Sequence, residues 1–327
     1  MTLKKLDEGI YIDAQKTEKI KKLDAIIFDC DGVLVDVSNS YDLAIKKTVD
    51  FITEKFAAIK VPQVTTEMID GFKKTGGFND EVDVTYALIL AAVASQKIGQ
   101  SFSAVVSKIA SNADATGIRS VEKYLDASKI DLTGIKNKLV YPAKRFESLL
   151  SSVFDEIFYG TELYTKLYKK TPNFFNGRGL IENDVVLVTK NLLDDLHQRF
   201  GRKVAIVTGR GTVSASYSLG KLFDEFDLEN SWFLEDKPRE MAKPNPIPLI
   251  SSIKGMDASQ SVFVGDSMED YIMAHKANES GTPTLFCGIC GTSKDPQAKK
   301  DFFEQKGADL VLESISLLPK TLNLVRA

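Results

Sequence analysis

Six short apolar runs constrain the fold of this chain more than any other feature of its sequence. Each run is three or four residues long and stops at polar, small or acidic residues. Such short, continuously apolar runs are typical of strands that are buried on both faces of a parallel sheet. Helical patterns separate the later runs, and this alternation predicts an α/β fold with right-handed crossovers. The predicted strands are residues 25–28, 204–207, 232–234, 262–264, 284–286 and 310–312, and the clearest helices between the later strands are residues 185–200 and 268–279.

The first two predicted strands are separated by roughly 175 residues, far more than a crossover connection needs. The intervening sequence has helical patterns almost throughout, without a repeat or a low-complexity tract. A segment of this length is best explained as a second domain inserted into the first. The helices predicted within it are residues 41–56, 66–72, 82–97, 102–111, 118–127 and 143–158.

Composition and charge exclude several broad classes of protein. The chain has 327 residues, with 42 Lys and Arg against 45 Asp and Glu, so it lacks the basic excess of a nucleic-acid-binding protein. Its 43% of hydrophobic residues can form a folded core. The most apolar run, residues 84–94, is too short to cross a bilayer, which takes about 20 residues. The N-terminus is charged throughout, and three cysteines are too few for a disulfide framework. We therefore expect a soluble cytoplasmic protein with no nucleic-acid or membrane partner.

Two aspartates follow the first predicted strand directly. Asp29 and Asp31 precede Gly32, at the carboxyl end of a strand, where open parallel sheets place their ligands. Residues i and i+2 of an extended segment point to the same side, so the two carboxylates would repel and one pKa would rise. A bound divalent cation would keep Asp29 ionised, while Asp31 could remain protonated as a general acid. Taken alone, the segment is also consistent with a polar turn that ends a strand.

The ends of three further predicted strands carry residues suited to the same chemistry. The second strand leads to Thr208 and to Gly209, whose backbone N–H can approach a phosphoryl oxygen. Lys243 follows the third strand, among turn-forming residues, and offers a compact positive charge. Asp266 ends the fourth strand, and Asp270 lies one helical turn later, which predicts both carboxylates on one helix face. Carboxylates are ligands that Mg²⁺ prefers, although acids at this place also match a helix dipole.

These segments, taken in order, resemble the four motifs of the haloacid dehalogenase-like superfamily. The motifs are DCDGV at residues 29–33, VTG at 207–209, AKP at 242–244 and GDSMED at 265–270. The resemblance implies that Asp29 is the nucleophile and Asp31 the general acid and base. It also implies that Thr208 orients the transferring phosphoryl group and that Lys243 neutralises its charge. The implied ligands of Mg²⁺ are the carboxylates of Asp29, Asp266 and Asp270 and the backbone carbonyl of Asp31.

The resemblance covers residues 23–37 and about 177–327, and the inserted helices resemble the cap of this superfamily. The implied fold is α/β, with a three-layer Rossmann-like parallel sheet core and an inserted all-helical cap domain. The expected organisation is an N-terminal extension at residues 1–22, a discontinuous core at 23–37 and 177–327, and a cap at 38–176. The expected activity is Mg²⁺-dependent hydrolysis of a small phosphorylated metabolite through an aspartyl-phosphate, by a monomer or homodimer.

Other activities are weighed against the same residues. Dehalogenation and phosphonate cleavage are disfavoured because neither needs an acid at Asp31. A transport ATPase is excluded because the sequence lacks a membrane span, and a dehydrogenase is disfavoured because no G-x-G-x-x-G follows the first strand. A sugar-phosphate mutase stays open, because it would use the same core and return the phosphoryl group to its product. A non-catalytic phosphate-binding module usually lacks a catalytic residue, and none is missing here.

Candidate substrate-binding residues lie in two places. The loop at residues 72–80 contains Lys73, Lys74, two glycines and Asn79, and is consistent either with a specificity loop or with a solvated turn. Gly209 could contact the phosphoryl group, and Arg210 could bind a second anionic group of the substrate or form a surface ion pair.

Cys287 and Cys290 have the C-x-x-C spacing of redox and metal sites. The sequence has no second cysteine pair, and its two histidines lack metal-ligand spacing. We therefore expect these cysteines to serve packing.

Overall fold

The computed structural model describes residues 3–78 and 80–324, and the chain divides into two compact units. The core unit consists of Met1–Asp36 and Val185–Ala327, and the helical unit is Val37–Asp184. The α/β fold class with a helical insertion is thereby confirmed. Within the described residues, no helix combines the length and apolar character needed to span a bilayer.

An eight-stranded mixed sheet forms the centre of the core unit, and all six predicted strands are part of it. Its strands are β1 (Lys4–Asp7), β2 (Ile10–Ile12), β3 (Ala25–Phe28), β6 (Val204–Thr208), β7 (Trp232–Phe233), β8 (Ser261–Gly265), β9 (Thr284–Ile289) and β10 (Leu310–Leu312). Their order is β1-β2-β10-β9-β8-β3-β6-β7, and the strands from β10 to β7 run parallel. The remaining strands, β4 (Val35–Asp36) and β5 (Val185–Val186), pair as a separate antiparallel ribbon.

Helices cover both faces of this sheet because its central strands are apolar on both sides. Every residue of β3, β6 and β8 is buried. Ala25 and Ile27 pack with Leu249 and Met273 in a single cluster, and the alternating side chains of β3 point to the opposite face. The helices are α1 (Thr17–Lys21), α9 (Lys190–Phe200), α10 (Thr212–Leu219), α11 (Ile247–Gly255), α12 (Met268–Glu279), α13 (Pro296–Lys306) and α14 (Leu318–Leu324).

The first residues of the chain contribute two strands that the sequence pattern does not indicate. β2 pairs antiparallel with β10, with Ile12 opposite Leu310, and β1 pairs with β2. Ile10 and Ile12 are buried in this pairing. The strands are short and flanked by charged residues, so their alternation is too brief to stand out from a helical pattern.

The described part of the helical unit contains seven α-helices and a short 3₁₀-helix, Leu180–Asn183. The α-helices are α2 (Tyr41–Ala57), α3 (Thr66–Lys73), α4 (Glu81–Ile98), α5 (Phe102–Asn112), α6 (Ile118–Ala127), α7 (Thr133–Leu139) and α8 (Leu149–Tyr168). The apolar run at residues 84–94 lies inside α4, whose residues 83–95 are all buried. A helix that is apolar all round is therefore the centre of this unit.

Two predicted helices begin later than expected, in each case at a side-chain cap. Residues 185–200 were expected to form one helix, but Val185 and Val186 form β5. Helix α9 begins at Lys190, where the Thr189 hydroxyl accepts a hydrogen bond from the N–H of Leu192 at 3.2 Å. The helix expected at residues 143–158 begins at Leu149, after the capping residue Ser148, and continues through a kink at Gly160.

Candidate active site

The ends of three adjacent parallel strands bring the motif residues together. β3 lies between β6 and β8 in the sheet, so the carboxyl ends of these strands lie at one edge. Asp29 directly follows β3, and its N–H donates to the carbonyl of Val264 on β8 at 2.8 Å. Thr208 is the last residue of β6, and Asp266 directly follows β8. The sheet register therefore places these residues at one edge of the sheet.

Lys243 joins two of the aspartates. Its Nζ lies 2.7 Å from Oδ1 of Asp29 and 2.7 Å from Oδ1 of Asp270, and all three side chains are buried. Burial raises the pKa of Asp29 to about 8, and the neighbouring Asp270 and Asp31 act in the same direction, whereas Lys243 lowers it. Burial alone would lower the pKa of Lys243, but Asp270 and Asp29 hold it above its ordinary value. The lysine is therefore a permanent positive charge between two carboxylates.

Three carboxylates form a cluster that could hold a cation. Asp29, Asp266 and Asp270 each offer one oxygen, and these oxygens lie within 4.8 Å of one another. A set of carboxylate oxygens is the donor set that Mg²⁺ prefers. The residues present therefore fit a divalent magnesium ion.

The cluster forms for a different reason from the one expected. Asp266 and Asp270 were expected on one face of a helix, but Ser267 is the N-cap of α12 and Asp266 lies before the helix. In this capping box, Oδ2 of Asp270 accepts hydrogen bonds from the backbone N–H groups of Asp266 and Ser267, both at 3.1 Å, and from the Ser267 hydroxyl at 2.8 Å. The cap turns the Asp270 carboxylate back towards the strand end.

Two glycines allow the strand ends to approach the carboxylates closely. Gly32 has φ of +72°, and a Cβ there would lie 2.4 Å from Oδ2 of Asp266. A Cβ on Gly265 would lie 2.4 Å from the Cβ of Asp270. Since real Cβ atoms do not approach other atoms so closely, both positions need glycine for this arrangement.

Asp31 is paired with Arg210. The Nε of Arg210 donates to Oδ1 of Asp31, and NH1 donates to the hydroxyl of Ser218 at 2.7 Å. The Arg210 side chain is 0% exposed, whereas that of Asp31 is 28% exposed. The sequence suggested that Arg210 contacts an anionic group of the substrate or forms a surface ion pair. The structure instead buries its guanidinium, which contacts Asp31 and, on α10, Ser218.

Thr208 and Gly209 lie at the end of β6, as predicted. Thr208 is buried, and its hydroxyl accepts a hydrogen bond from the N–H of Arg210 at 3.3 Å. Gly209 is exposed, and a Cβ at this position would have no heavy atom within 4 Å. The backbone of Gly209 is therefore open to a ligand.

Several contacts at the site come from residues outside the four motif segments. Nζ of Lys299, on α13, lies 2.7 Å from Oδ2 of Asp266. The Thr292 hydroxyl donates to the carbonyl of Gly32 at 2.8 Å. Glu235 accepts a hydrogen bond from the N–H of Gly211 at 2.9 Å. These contacts come from loops and from a helix whose position only the folded sheet defines.

The candidate substrate-binding residues of the helical unit lie at the end of α3 and in the loop after it. Nζ of Lys73 is 3.0 Å from the carboxylate of Glu81, and Lys74 is exposed. Asn79 lies outside the described residues. Phe72 and Phe78 are buried, with ring centroids 5.1 Å apart, so the segment is fixed at two positions within its unit.

Cys287 and Cys290 are free thiols in the buried interior of the core unit. Burial raises the pKa of both thiols. A thiol that is protonated at neutral pH is a poor nucleophile and a poor metal ligand, so these residues fit the expected packing role.

Proteins of known family and structure share this fold. A structure named phosphatase Tt82, from Thermococcus thioreducens, is 22% identical, with a TM-score of 0.55 over 86% of this chain and 99% of that chain. A Bacteroides fragilis structure named as a haloacid dehalogenase-like hydrolase is 15% identical, with a TM-score of 0.50 over 91% of this chain and 100% of that chain. Among curated proteins, imidazoleglycerol-phosphate dehydratase from Phytophthora nicotianae is 25% identical over 306 residues, 90% of this chain. The chain spans about half, 52%, of that relative's length.

A family model gives the assignment that the motifs predicted. The model of the haloacid dehalogenase-like hydrolases matches residues 23–278, which include all the strand ends of the site. Because this match covers most of the sequence, the chain belongs to the haloacid dehalogenase-like hydrolases.

Proposed function

We propose that this chain is a Mg²⁺-dependent phosphatase that hydrolyses a small phosphorylated metabolite through an aspartyl-phosphate intermediate. The observation that carries this proposal is the buried carboxylate of Asp29, which lies 2.7 Å from Lys243 and clusters with Asp266 and Asp270. Asp31 lies two residues further along and is partly exposed. In this proposal Asp29 is the nucleophile, Asp31 is the proton donor and Lys243 supplies the positive charge.

Asp29 attacks phosphorus in line, and its new bond to phosphorus forms as the bond to the leaving oxygen breaks. The carboxyl of Asp31 gives its proton to that oxygen and becomes a carboxylate. In the second step Asp31 takes a proton from water, whose oxygen attacks phosphorus. The bond between phosphorus and Asp29 then breaks, and inorganic phosphate leaves.

The surrounding residues stabilise charge and hold the phosphoryl group. Lys243 neutralises the negative charge shared by Asp29 and the transferring group, and the Thr208 hydroxyl and the Gly209 N–H orient its oxygens. The carboxylates of Asp29, Asp266 and Asp270 and the backbone carbonyl of Asp31 would hold Mg²⁺. When bound, Mg²⁺ would offset the charge that develops on the phosphoryl oxygens.

The helical unit supplies substrate selection in this proposal. Lys73, Lys74 and Asn79 are its candidate substrate-binding residues, since lysine and asparagine side chains can bind polar or anionic substituents of a leaving group. The relative from Phytophthora nicotianae is named for imidazoleglycerol phosphate, which is itself a phosphomonoester. That compound therefore belongs in a substrate panel beside sugar phosphates, nucleotides and phosphorylated carboxylic acids.

Phosphate release from this panel and from 4-nitrophenyl phosphate tests the proposal, with Mg²⁺ or with EDTA. We expect Mg²⁺-dependent release and a loss of at least about 10⁴-fold in Asp29→Asn, because the nucleophile is removed. Asp194→Asn is the matched control, since this exposed carboxylate pairs only with nearby surface charges in the described contacts. The proposal would be overturned if no substrate released phosphate in a metal-dependent way, or if Asp29→Asn kept near-normal activity. Transfer to a second hydroxyl of the substrate without release of phosphate would favour a mutase.

A further inference from the structure

Arg210 is the largest fully buried side chain in the described part of the core unit. A guanidinium always carries its charge, and removing it from water is costly unless its partners compensate. A hydrolase could fill this space with an apolar side chain at lower cost. The presence of a charged group therefore needs a reason in what it contacts.

The contacts of Arg210 fix its guanidinium from two directions. Nε donates to the carboxylate of Asp31, and NH1 donates to the Ser218 hydroxyl on α10 at 2.7 Å. Its own N–H is held by the Thr208 hydroxyl at 3.3 Å. The planar donors of arginine set the direction of each hydrogen bond, which a lysine ammonium does not do.

The exposure of the pair is strongly unequal. The Arg210 side chain is 0% exposed and that of Asp31 is 28% exposed, so the carboxylate is reached from solvent while the arginine is not. The buried guanidinium is already engaged by Asp31 and Ser218, which argues against the anion-binding role that the sequence suggested. Lys243 contacts Asp29 and Asp270, whereas Arg210 contacts Asp31.

We infer that Arg210 is a positioning residue, which holds the Asp31 carboxyl at the orientation needed for proton transfer to the leaving oxygen. This inference rests on the proposed phosphatase function and on the role of Asp31 within it. General acid catalysis matters most for leaving groups that are strong bases, because these cannot depart without a proton. An arginine that serves only stability would affect all substrates alike.

Leaving-group dependence therefore tests the inference. Turnover of an alkyl phosphate and of 2,4-dinitrophenyl phosphate, whose phenolate departs unprotonated, is compared in wild type, Asp31→Asn, Arg210→Gln and Arg210→Lys. We expect Arg210→Gln to lower kcat/KM about 10²-fold for the alkyl phosphate and less than about threefold for the dinitrophenyl ester. The ratio kcat/KM is the readout because it reports the first step, in which the leaving group departs, and not the hydrolysis of the aspartyl-phosphate that both substrates share. Asp31→Asn shows the same selectivity with a larger effect, and Arg210→Lys lies between Arg210→Gln and wild type.

Ser218→Ala keeps the test decisive if Arg210→Gln fails to fold. It removes one hydrogen bond behind the guanidinium, and we expect a selective loss of about threefold to fivefold with the alkyl phosphate. Arg199→Gln is the matched control, because Arg199 donates to the backbone carbonyls of Lys21 and Leu23 at 2.8 and 3.0 Å. This control should lower the melting temperature and leave the ratio of the two rates unchanged.

The outcomes separate this inference from the proposed function. Equal losses of kcat/KM with both substrates in Arg210→Gln, or an unchanged ratio of the two kcat/KM values in Ser218→Ala, would overturn the positioning role while phosphatase activity remains established. An unchanged ratio in Asp31→Asn would overturn it by removing the acid that Arg210 positions. Absence of phosphate release by the wild type would instead refute the phosphatase proposal, and the inference with it.

Discussion

The two units of this protein both bury carboxylates, but they do so in different surroundings. In the helical unit, Glu156 is fully buried and accepts hydrogen bonds from the backbone N–H groups of residues 173–175, at 2.5 to 3.0 Å. Asp155 pairs with Arg145 at 2.8 Å. In the core unit, Asp29 and Asp270 share the single ammonium of Lys243.

This difference separates structural carboxylates from functional ones. Glu156 fixes the segment that returns from the helical unit, because backbone donors surround it on one side. At the strand ends, the carboxyl groups of Asp29, Asp31, Asp266 and Asp270 meet the cations Lys243, Arg210 and Lys299. Like charges held together destabilise a fold unless another cation joins them. The pKa of Asp29 stays raised although Lys243 lowers it, and such a perturbed carboxyl group is typical of a functional site.

Replacing the shared cation should have the largest effect on both activity and stability. Lys243→Met leaves two buried carboxyl groups without their ammonium partner. We therefore expect the free energy of unfolding to fall by about 3–5 kcal/mol. We expect kcat to fall at least about 10³-fold, because the charge on the phosphoryl group is no longer neutralised. Urea unfolding and phosphate release measure the two effects, with the exposed Lys254→Met as the control. A stable, active Lys243→Met would show that the two carboxylates do not depend on this charge.

Replacing the structural carboxylate should affect stability alone. Glu156→Gln keeps the size of the side chain but removes the negative charge to which three backbone N–H groups donate. We expect the free energy of unfolding to fall by about 2 kcal/mol. The kcat of the folded variant should equal that of the wild type. A fall in kcat comparable with that of Lys243→Met would abolish the distinction drawn between the two units.

The pH dependence of stability should differ between the wild type and Asp29→Asn. The folded pKa of Asp29, about 8, lies above the ordinary value of 3.8, so the folded protein binds this proton more tightly than the unfolded chain. The stabilisation that this proton gives is fully present below the pKa of the unfolded chain and is lost as the pH rises through the pKa of the folded protein. Only the wild type loses this stabilisation as the pH rises. The melting temperature of Asp29→Asn minus that of the wild type should therefore increase by a few degrees between about pH 5 and pH 8, with EDTA present. Parallel melting curves across this range would contradict the raised pKa.

The smallest effect is expected in the loop of the helical unit. Lys73→Met breaks a partly exposed ion pair with Glu81, which should lower stability by less than about 1 kcal/mol. If the two lysines bind the leaving group, both Lys73→Met and Lys74→Met should raise KM for an anionic substrate and leave 4-nitrophenyl phosphate unaffected. Unchanged KM values across the substrate panel would instead make this segment an ordinary turn.

The positions of the residues at the strand ends could be predicted from the sequence because parallel strands end at the same edge of a sheet. The runs that precede Asp29, Thr208 and Asp266 are each apolar throughout, and burial on both faces leaves little choice of structure. The polar residue after each run must then lie at the same edge of the sheet, whatever the helices between them do.

The environment of Arg210 was not predictable in the same way. Whether an arginine after a strand faces solvent or the interior depends on the direction of the next helix, and here α10 carries Ser218 to its guanidinium. Lys299 reaches Asp266 from α13, which no motif includes. Contrary to what the spacing predicted, Asp266 does not share a helix face with Asp270, because the helix begins after Ser267, the residue that follows Asp266. Contacts between different elements decide the first two cases, and a local capping box decides the third.

The β4–β5 ribbon has a consequence for how such a protein can change over evolutionary time. Val35 pairs with Val186 and Asp36 with Val185, so the chain leaves and re-enters the core unit through neighbouring, hydrogen-bonded residues. The ends of the helical unit are thus fastened at one junction, and a tight turn could close Asp36 onto Val185 without moving any strand of the main sheet. The segment between these two residues can therefore be replaced, lengthened or shortened in evolution as one unit, while the residues of the core unit stay the same.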